Sequence, residues 1–157
     1  MKNILFVVTL FIGMNNSAFA EALQLVQYAD APAPLSTDAK PAAPSLGDVS
    51  IRQGAFKATV DGPVIGKYFA QTTIVSLNTS EKQVIMSEVI ESVYPDGSIY
   101  KMDVIVLDDG KLLEDGHKHV GAIVGGTGKY AGARGSYEFE MLKGGDYKIT
   151  NTYWLGQ

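Results

Sequence analysis

The sequence predicts an all-β protein, one small antiparallel barrel or sandwich standing behind an export signal, and three observations predict it. From Asp48 onward Tyr, Val, Ile and Thr cluster in short runs bounded by Asp-Gly, Asn-Thr-Ser and Gly-Gly turn signals, the composition that suits a pleated, half-buried surface. No window carries an extended 3.6-residue apolar period, and no repeat points to a solenoid or propeller. The chain has 157 residues, is 46% hydrophobic and has no cysteine, which allows one core held by packing alone and not two.

Residues 1–20 read as a signal peptide. Lys2 supplies the positive start, Ile4 to Met14 form the apolar run, and Ala18-Phe19-Ala20 is a small-x-small cleavage site. The run is too short to span a bilayer about 30 Å thick, and the absence of cysteine removes a lipid attachment. The expectation is an exported protein with no membrane anchor, periplasmic or extracellular after cleavage at Ala20. Its mature chain begins at Glu21 and keeps 12 of the 13 basic residues against all 17 acidic ones, a net charge of −5. That balance argues against a nucleic-acid partner, since phosphate binders concentrate Lys and Arg.

Residues 21–47 divide in two. Leu23 to Tyr28 is apolar enough for a first barrel strand or a helical stub; Ala29 to Gly47, with Pro32, Pro34, Pro41 and Pro44, reads as an extended Pro/Ala-rich linker. The domain proper is 48–157. Strands are predicted near Val49–Thr59, Ile65–Leu77, Gln83–Val93, Ser98–Leu107, Lys118–Gly125, Gly132–Lys143 and Asp146–Trp154, with Tyr94-Pro95-Asp96-Gly97 a tight hairpin. Closure into a barrel removes the free edges that a chain without disulfides would otherwise expose. Along the fourth of these strands Tyr100, Met102, Val104 and Val106 share one side and Lys101 and Asp103 the other, so each strand has two unlike faces. Alternation leaves open which face is the lumen.

Residues Gly121 to Gly135 are glycine-rich but lack the Gly-Lys-Ser/Thr ending of a phosphate loop and a following helix, so a barrel corner is the better reading. Within this run Ile123-Val124-Gly125-Gly126-Thr127-Gly128-Lys129-Tyr130, followed by Ala133-Arg134-Gly135, resembles the dirigent signature Val-Val-Gly-Gly-Thr-Gly-Lys-Phe with its trailing Ala-Arg-Gly. Gly62-Pro63-Val64-Ile65-Gly66-Lys67 is similar to the family's Pro-Val-Val-Gly-Arg strand opening, and Thr152 to Leu155 to its closing strand. The resemblance spans Asp48 to Leu155. It implies the dirigent and allene oxide cyclase fold: a single closed antiparallel eight-stranded β-barrel with an apolar lumen, commonly a homotrimer, that steers a reactive guest toward coupling or cyclisation.

Carried across residue by residue, the resemblance puts His119 where dirigents have a pocket arginine and the pocket aspartate at Asp108 or Asp109. Thr72 and Ile74 replace an aromatic pair, Tyr147 matches a late-strand aromatic, and Asp30 matches an early aspartate. Plant cyclases' pocket cysteine has no counterpart. The residues themselves add that His117 and His119, two apart on a strand, share a face, where they would form a solvated edge or start a metal site with no evident third ligand, or where His119, paired with Asp108 or Asp109, would act as a lumen proton donor. A carboxylate beside His119 is expected to raise its pKa. An inward His119 would place Gly121 and Ile123 inside and Val120, Ala122 and Val124 outside, with the ring at the Gly-Gly-Thr-Gly end. Arg134 is expected in a surface row with Glu138 and Glu140; Tyr68, Tyr100 and Tyr147 are candidate walls for a flat guest. The expectation is therefore a small hydrophobic ligand in the lumen, handled without cofactor or metal by His119, Asp108 and Asp109. An isomerase or cyclase and a side-chain-filled, non-catalytic oligomeric module both remain open.

Overall fold

The computed structural model describes residues 21–30, 35–36, 45–78, 80–108 and 115–156. The signal segment, Asp109 and most of the proline-rich stretch lie outside them. Among the described residues nine strands form: β1 (Leu23–Ala29), β2 (Leu35–Ser36), β3 (Val49–Lys57), β4 (Val64–Asn78), β5 (Gln83–Tyr94), β6 (Gly97–Leu107), β7 (Lys118–Gly126), β8 (Arg134–Met141) and β9 (Tyr147–Trp154). They follow one another around a sheet in the order β1-β9-β8-β7-β6-β5-β4-β3-β2, every pairing antiparallel. A further pairing of β1 with β3, Tyr28 opposite Lys57 and Ala29 opposite Phe56, closes eight of them into a barrel.

Two elements answer questions the sequence left open. The segment 23–28 is a strand and not a helical stub; it runs seven residues against β9, from Leu23 opposite Tyr153 to Ala29 opposite Tyr147. Without it the β3 and β9 edges would stand apart, so this segment is what makes a barrel and not an open sheet. Within the proline-rich stretch, Leu35 and Ser36 pair with Ile51 and Ser50 of β3.

The glycine-rich run works as a corner. After β7 a single 3-10 turn (Gly128–Tyr130) leads into β8, and the two-residue β5–β6 hairpin docks onto it. Thr127 N–H donates to the Ser98 carbonyl at 2.8 Å, Lys129 N–H to the Asp96 carbonyl at 2.8 Å, and Ser98 N–H to the Thr127 hydroxyl at 3.1 Å. The approach leaves no room for side chains: a Cβ on Gly97 (φ 150°) would stand 2.1 Å from the Thr127 carbonyl oxygen, and one on Gly128 (φ 56°) 2.2 Å from that of Asp96. Both backbone conformation and space therefore demand glycine there. Beneath this corner Tyr94, Tyr130 and Tyr153 pack ring against ring, with centroids 5.2 and 6.0 Å apart. The Tyr94 hydroxyl donates to Gln27 at 2.5 Å, so that end of the barrel is plugged.

The inside carries Arg52, Tyr68, Glu88, Ser92, Lys101, Tyr137 and Asn151; the outside of β5–β7 carries exposed Val89, Met102, Val104, Val106, Val120 and Val124. Of the two faces of β6, the one with the charges is the lumen. Replacing Gly128 by Ala is expected to destabilise the domain by about 2 kcal/mol or more, because strain and backbone overlap add. Urea unfolding of Gly128→Ala beside Gly116→Ala, whose positive-φ glycine has open space around it, separates the two contributions.

Candidate functional site

Two strand glycines prepare the site. Gly54 of β3 lies opposite Tyr68 of β4, and Gly121 of β7 opposite Tyr137 of β8. A Cβ would fall 2.6 Å from the Tyr68 ring and 2.3 Å from the Tyr137 ring. Each tyrosine thus lies flat over its neighbour's bare backbone, and the rings form walls where they would otherwise fill the lumen.

The resulting chamber occupies the half of the barrel away from the Gly-Gly-Thr-Gly corner. Its walls are Ala29, Phe56, Ala70, Ile90, Ile105, Phe139 and Ile149 together with Tyr68, Tyr137 and Tyr147, and its polar groups are Arg52, Glu88, Lys101 and His119. The cavity enclosed between these side chains is small, about 40 Å³. The chamber is narrow.

Two polar clusters meet there. Arg52 donates from one terminal nitrogen to Glu88 and, at 2.7 Å, to the Thr72 hydroxyl, which itself donates to Glu88 at 2.9 Å. Burial pushes the Glu88 carboxyl above its ordinary range against the pull of Arg52 and Thr72. The Arg52 Nε is buried with no partner. Beside it, with Asp103 directly across the β5–β6 ladder from Glu88, His119 Nε2 stands 3.0 Å from Asp103 Oδ2, which the Tyr137 hydroxyl also approaches at 3.4 Å. The contact has ion-pair distance but not the alignment of a hydrogen bond, and both ring nitrogens are buried without one. The His119 ring stacks on Phe139, centroids 4.7 Å apart. Burial lowers the histidine pKa, outweighing Asp103, with His117 and Arg52 lowering it further. This reverses the expected upward shift: at neutral pH the imidazole is uncharged, able to accept a proton before it donates one.

Each sequence-derived candidate can now be placed. His119, Tyr68 and Tyr147 line the chamber, and Thr72 joins its Arg52–Glu88 cluster. His119 sits near the start of β7, far from the Gly-Gly-Thr-Gly corner at that strand's end, and its face carries Gly121 and Ile123 inward with Val120, Ala122 and Val124 outward. Asp108 is not the carboxylate that meets His119; it lies on the outward parity of β6, exposed, accepting a hydrogen bond from Gln83 at 3.0 Å. Asp109 lies outside the described residues. Tyr100 points outward with Met102, its hydroxyl bonded to Glu91, and Ile74 is not among the lining residues. Asp30 holds Lys57 at 2.6 Å beside the Tyr68 hydroxyl. On the outer face Glu138 and Glu140 pair with Lys118 and Lys148, while Arg134 donates to the Ala133 carbonyl.

Sequence reading missed Arg52, Glu88, Lys101 and Asp103 as site residues. The available signal was parity: Ile99, Lys101, Asp103 and Ile105 share one face of β6, and charges flanked by isoleucines on one strand face mark a lined cavity as well as a wet surface.

Neither the known family models nor the curated proteins include a match to this chain. Solved structures do resemble it. The Diels-Alderase AbmU from Streptomyces koyangensis superposes with a TM-score of 0.67 at 18% identity, over 86% of this chain and 64% of that one. A pterocarpan synthase dirigent protein gives 0.63 at 17% identity, over 98% and 100%. The fold is the dirigent and cyclase barrel. A pyocyanin demethylase shares it too, at 0.65 and 16% identity over 83% and 99% of the two chains, so one barrel shape accompanies several chemistries.

Lys101 gives this barrel a measurable pH signature. Complete burial lowers its pKa from 10.5 to about 7, only partly offset by Glu88. Between those values the unfolded chain holds one more proton than the folded one, so stability rises with pH across that window and is lost as pH falls toward 7. Tyr68, Tyr94 and Tyr137, all pushed up from 10.0, oppose this only above about pH 10. Urea unfolding from pH 7.5 to 9.5 is expected to show a stability gain of up to about 1 kcal/mol per pH unit in the wild type relative to Lys101→Met. Parallel profiles for the two proteins would contradict the burial.

Proposed function

We propose that this exported barrel binds a small, flat hydrophobic molecule in its lumen and guides that molecule's cyclisation or coupling. The observation that carries the reading is the narrow chamber itself, walled by aromatic and aliphatic side chains, with two neighbouring polar clusters opening onto it. Apolar walls and a uniform ring-lined slot restrict how a guest folds, which favours one ring closure over others without a strong attacking group. The polar groups have distinct tasks: neutral His119, held against Asp103, takes a proton from the guest, and Arg52 presents an unpartnered Nε to developing negative charge. The likeness to cyclase and dirigent barrels supports the same class of activity.

1-Naphthol serves as a probe guest, its fluorescence reporting entry into an apolar site. Gly121→Ala, which drives the Tyr137 ring into the chamber, is expected to weaken binding about tenfold or more. His119→Ala is expected to weaken binding or turnover with little change in melting temperature, since neither ring nitrogen makes an aligned hydrogen bond for the fold to lose. Unchanged affinity in both variants would place the guest elsewhere.

The apolar outer face supports self-association as well. Val89 lies directly across from Met102, and Met102 from Ala122, with exposed Val104 and Val120 beside them. A second copy of the chain, carrying the same strip, is the occupant proposed, most simply in a trimer. Light scattering of the wild type is expected to give an oligomer that Met102→Glu with Val104→Glu reduces to monomer; a monomeric wild type at micromolar concentration overturns this.

A further inference from the structure

Among the chamber's polar groups, Lys101 is the one that the acid–base reading leaves without a task. Its side chain is 1% exposed yet lines the chamber. The amine makes one hydrogen bond, at 2.9 Å to the Ser92 hydroxyl, and lies 5.5 Å from the Phe56 ring centre and 5.4 Å from that of Tyr137. Among the described residues no carboxylate is within ion-pair distance of Nζ; Glu88, the nearest in charge coupling, is held by Arg52. The titratable groups facing the same space are Arg52 of β3, Tyr68 of β4, Glu88 of β5, His119 of β7, Tyr137 of β8, Tyr147 of β9 and, on β6 itself, Asp103. The structure therefore presents a lysine nitrogen at the wall of the chamber with no carboxylate of the described residues in ion-pair contact to hold its charge.

We propose that Lys101 is a covalent anchor, condensing through its ε-amine with an aldehyde or ketone on the guest to hold it in the lumen as a Schiff base. This rests on the lumen being a guest chamber and names the guest's class as a carbonyl compound. In the first step the nitrogen lone pair attacks the carbonyl carbon, a C–N bond forms, and the π pair moves to oxygen. The nitrogen then gives up a proton, with the Ser92 hydroxyl already in contact, and the oxygen gains one. Loss of that oxygen as water, with its second proton, leaves C=N; no electrons are gained or lost. A protonated imine withdraws electrons from a conjugated chain attached to it, which eases ring closure within that chain and fits the proposed function. The two flanking rings and the more distant Glu88 favour the ammonium form, but full burial outweighs them and leaves the amine neutral in a large fraction of molecules near pH 7. An ordinary lysine is neutral in roughly one molecule in two thousand at that pH. Lys57, Lys118 and Lys129 are held still higher by their acidic partners.

The contrast makes the test selective. Purified protein is treated at pH 7 with limiting benzaldehyde and sodium cyanoborohydride, then mapped by peptide mass spectrometry, with the chain's α-amine as internal positive control. Lys101 is expected to carry the benzyl group at about tenfold or more the occupancy of any other lysine, and Lys101→Arg to abolish that product. A reacted α-amine beside an unmodified Lys101, or labelling spread evenly over the lysines, overturns the proposal without reliance on any variant's folding. Benzyl alcohol, the same ring without the carbonyl, separates the two readings through NMR shifts of the Tyr137 and Phe139 ring protons. A chamber that takes the alcohol but yields no Lys101 adduct removes the Schiff base and leaves the lumen reading standing. A chamber that takes neither removes both.

Discussion

Arg52 and Glu88 meet inside the barrel, bridged by Thr72, with the side chains 19% and 6% exposed. Two opposite charges in such a place are tolerable only as a pair: removing either leaves the other desolvated and alone, which costs roughly 3–5 kcal/mol, whereas the intact pair contributes little net stability. Burial acts differently on the neighbouring strands, where the His119 imidazole beside Asp103 is kept neutral. It also governs Lys101, whose amine has a hydroxyl and two rings for company and loses its charge readily. An apolar packing of similar volume would serve the fold at least as well.

The barrel keeps such groups dry by unequal construction of its two ends. At the corner where β7 turns into β8, glycines let two connections meet backbone to backbone, and the tyrosines beneath fill the interior. At the other end β4, β5 and β6 run long, and the strand glycines at 54 and 121 fold Tyr68 and Tyr137 against the wall. One end carries the stability and the other keeps a cavity, so glycine acts as a packing residue at the first and as a space-making residue at the second.

Much of the architecture was legible in the chain. The strand runs, the Pro95-Asp96-Gly97 turn and the two-faced alternation of β6 follow from local rules of period, turn chemistry and backbone freedom, and the Gly-Gly-Thr-Gly resemblance carried the closed eight-stranded form. The candidate site was legible only in part. His119, Tyr68 and Tyr147 were singled out, but the carboxylate beside His119 was sought at Asp108 or Asp109; the one that meets it is Asp103, while Asp108 lies exposed just past the end of β6.

What the sequence by itself determined is the period, the turns and the existence of two unlike strand faces, because these depend on residues within a few positions of each other. Which face became the lumen was decided only by closure: once β1 joined β3 to β9, the curvature of the sheet enclosed Arg52, Glu88, Lys101 and Asp103 and turned Met102, Val104 and Val120 outward. Hydrophobicity alone would have favoured the reverse, and the partners that make the inward charges tolerable come from β3, β4, β5 and β7. Residues up to 36 positions apart, such as Arg52 and Glu88, neutralise one another only after the barrel has formed, so no local pattern could announce them.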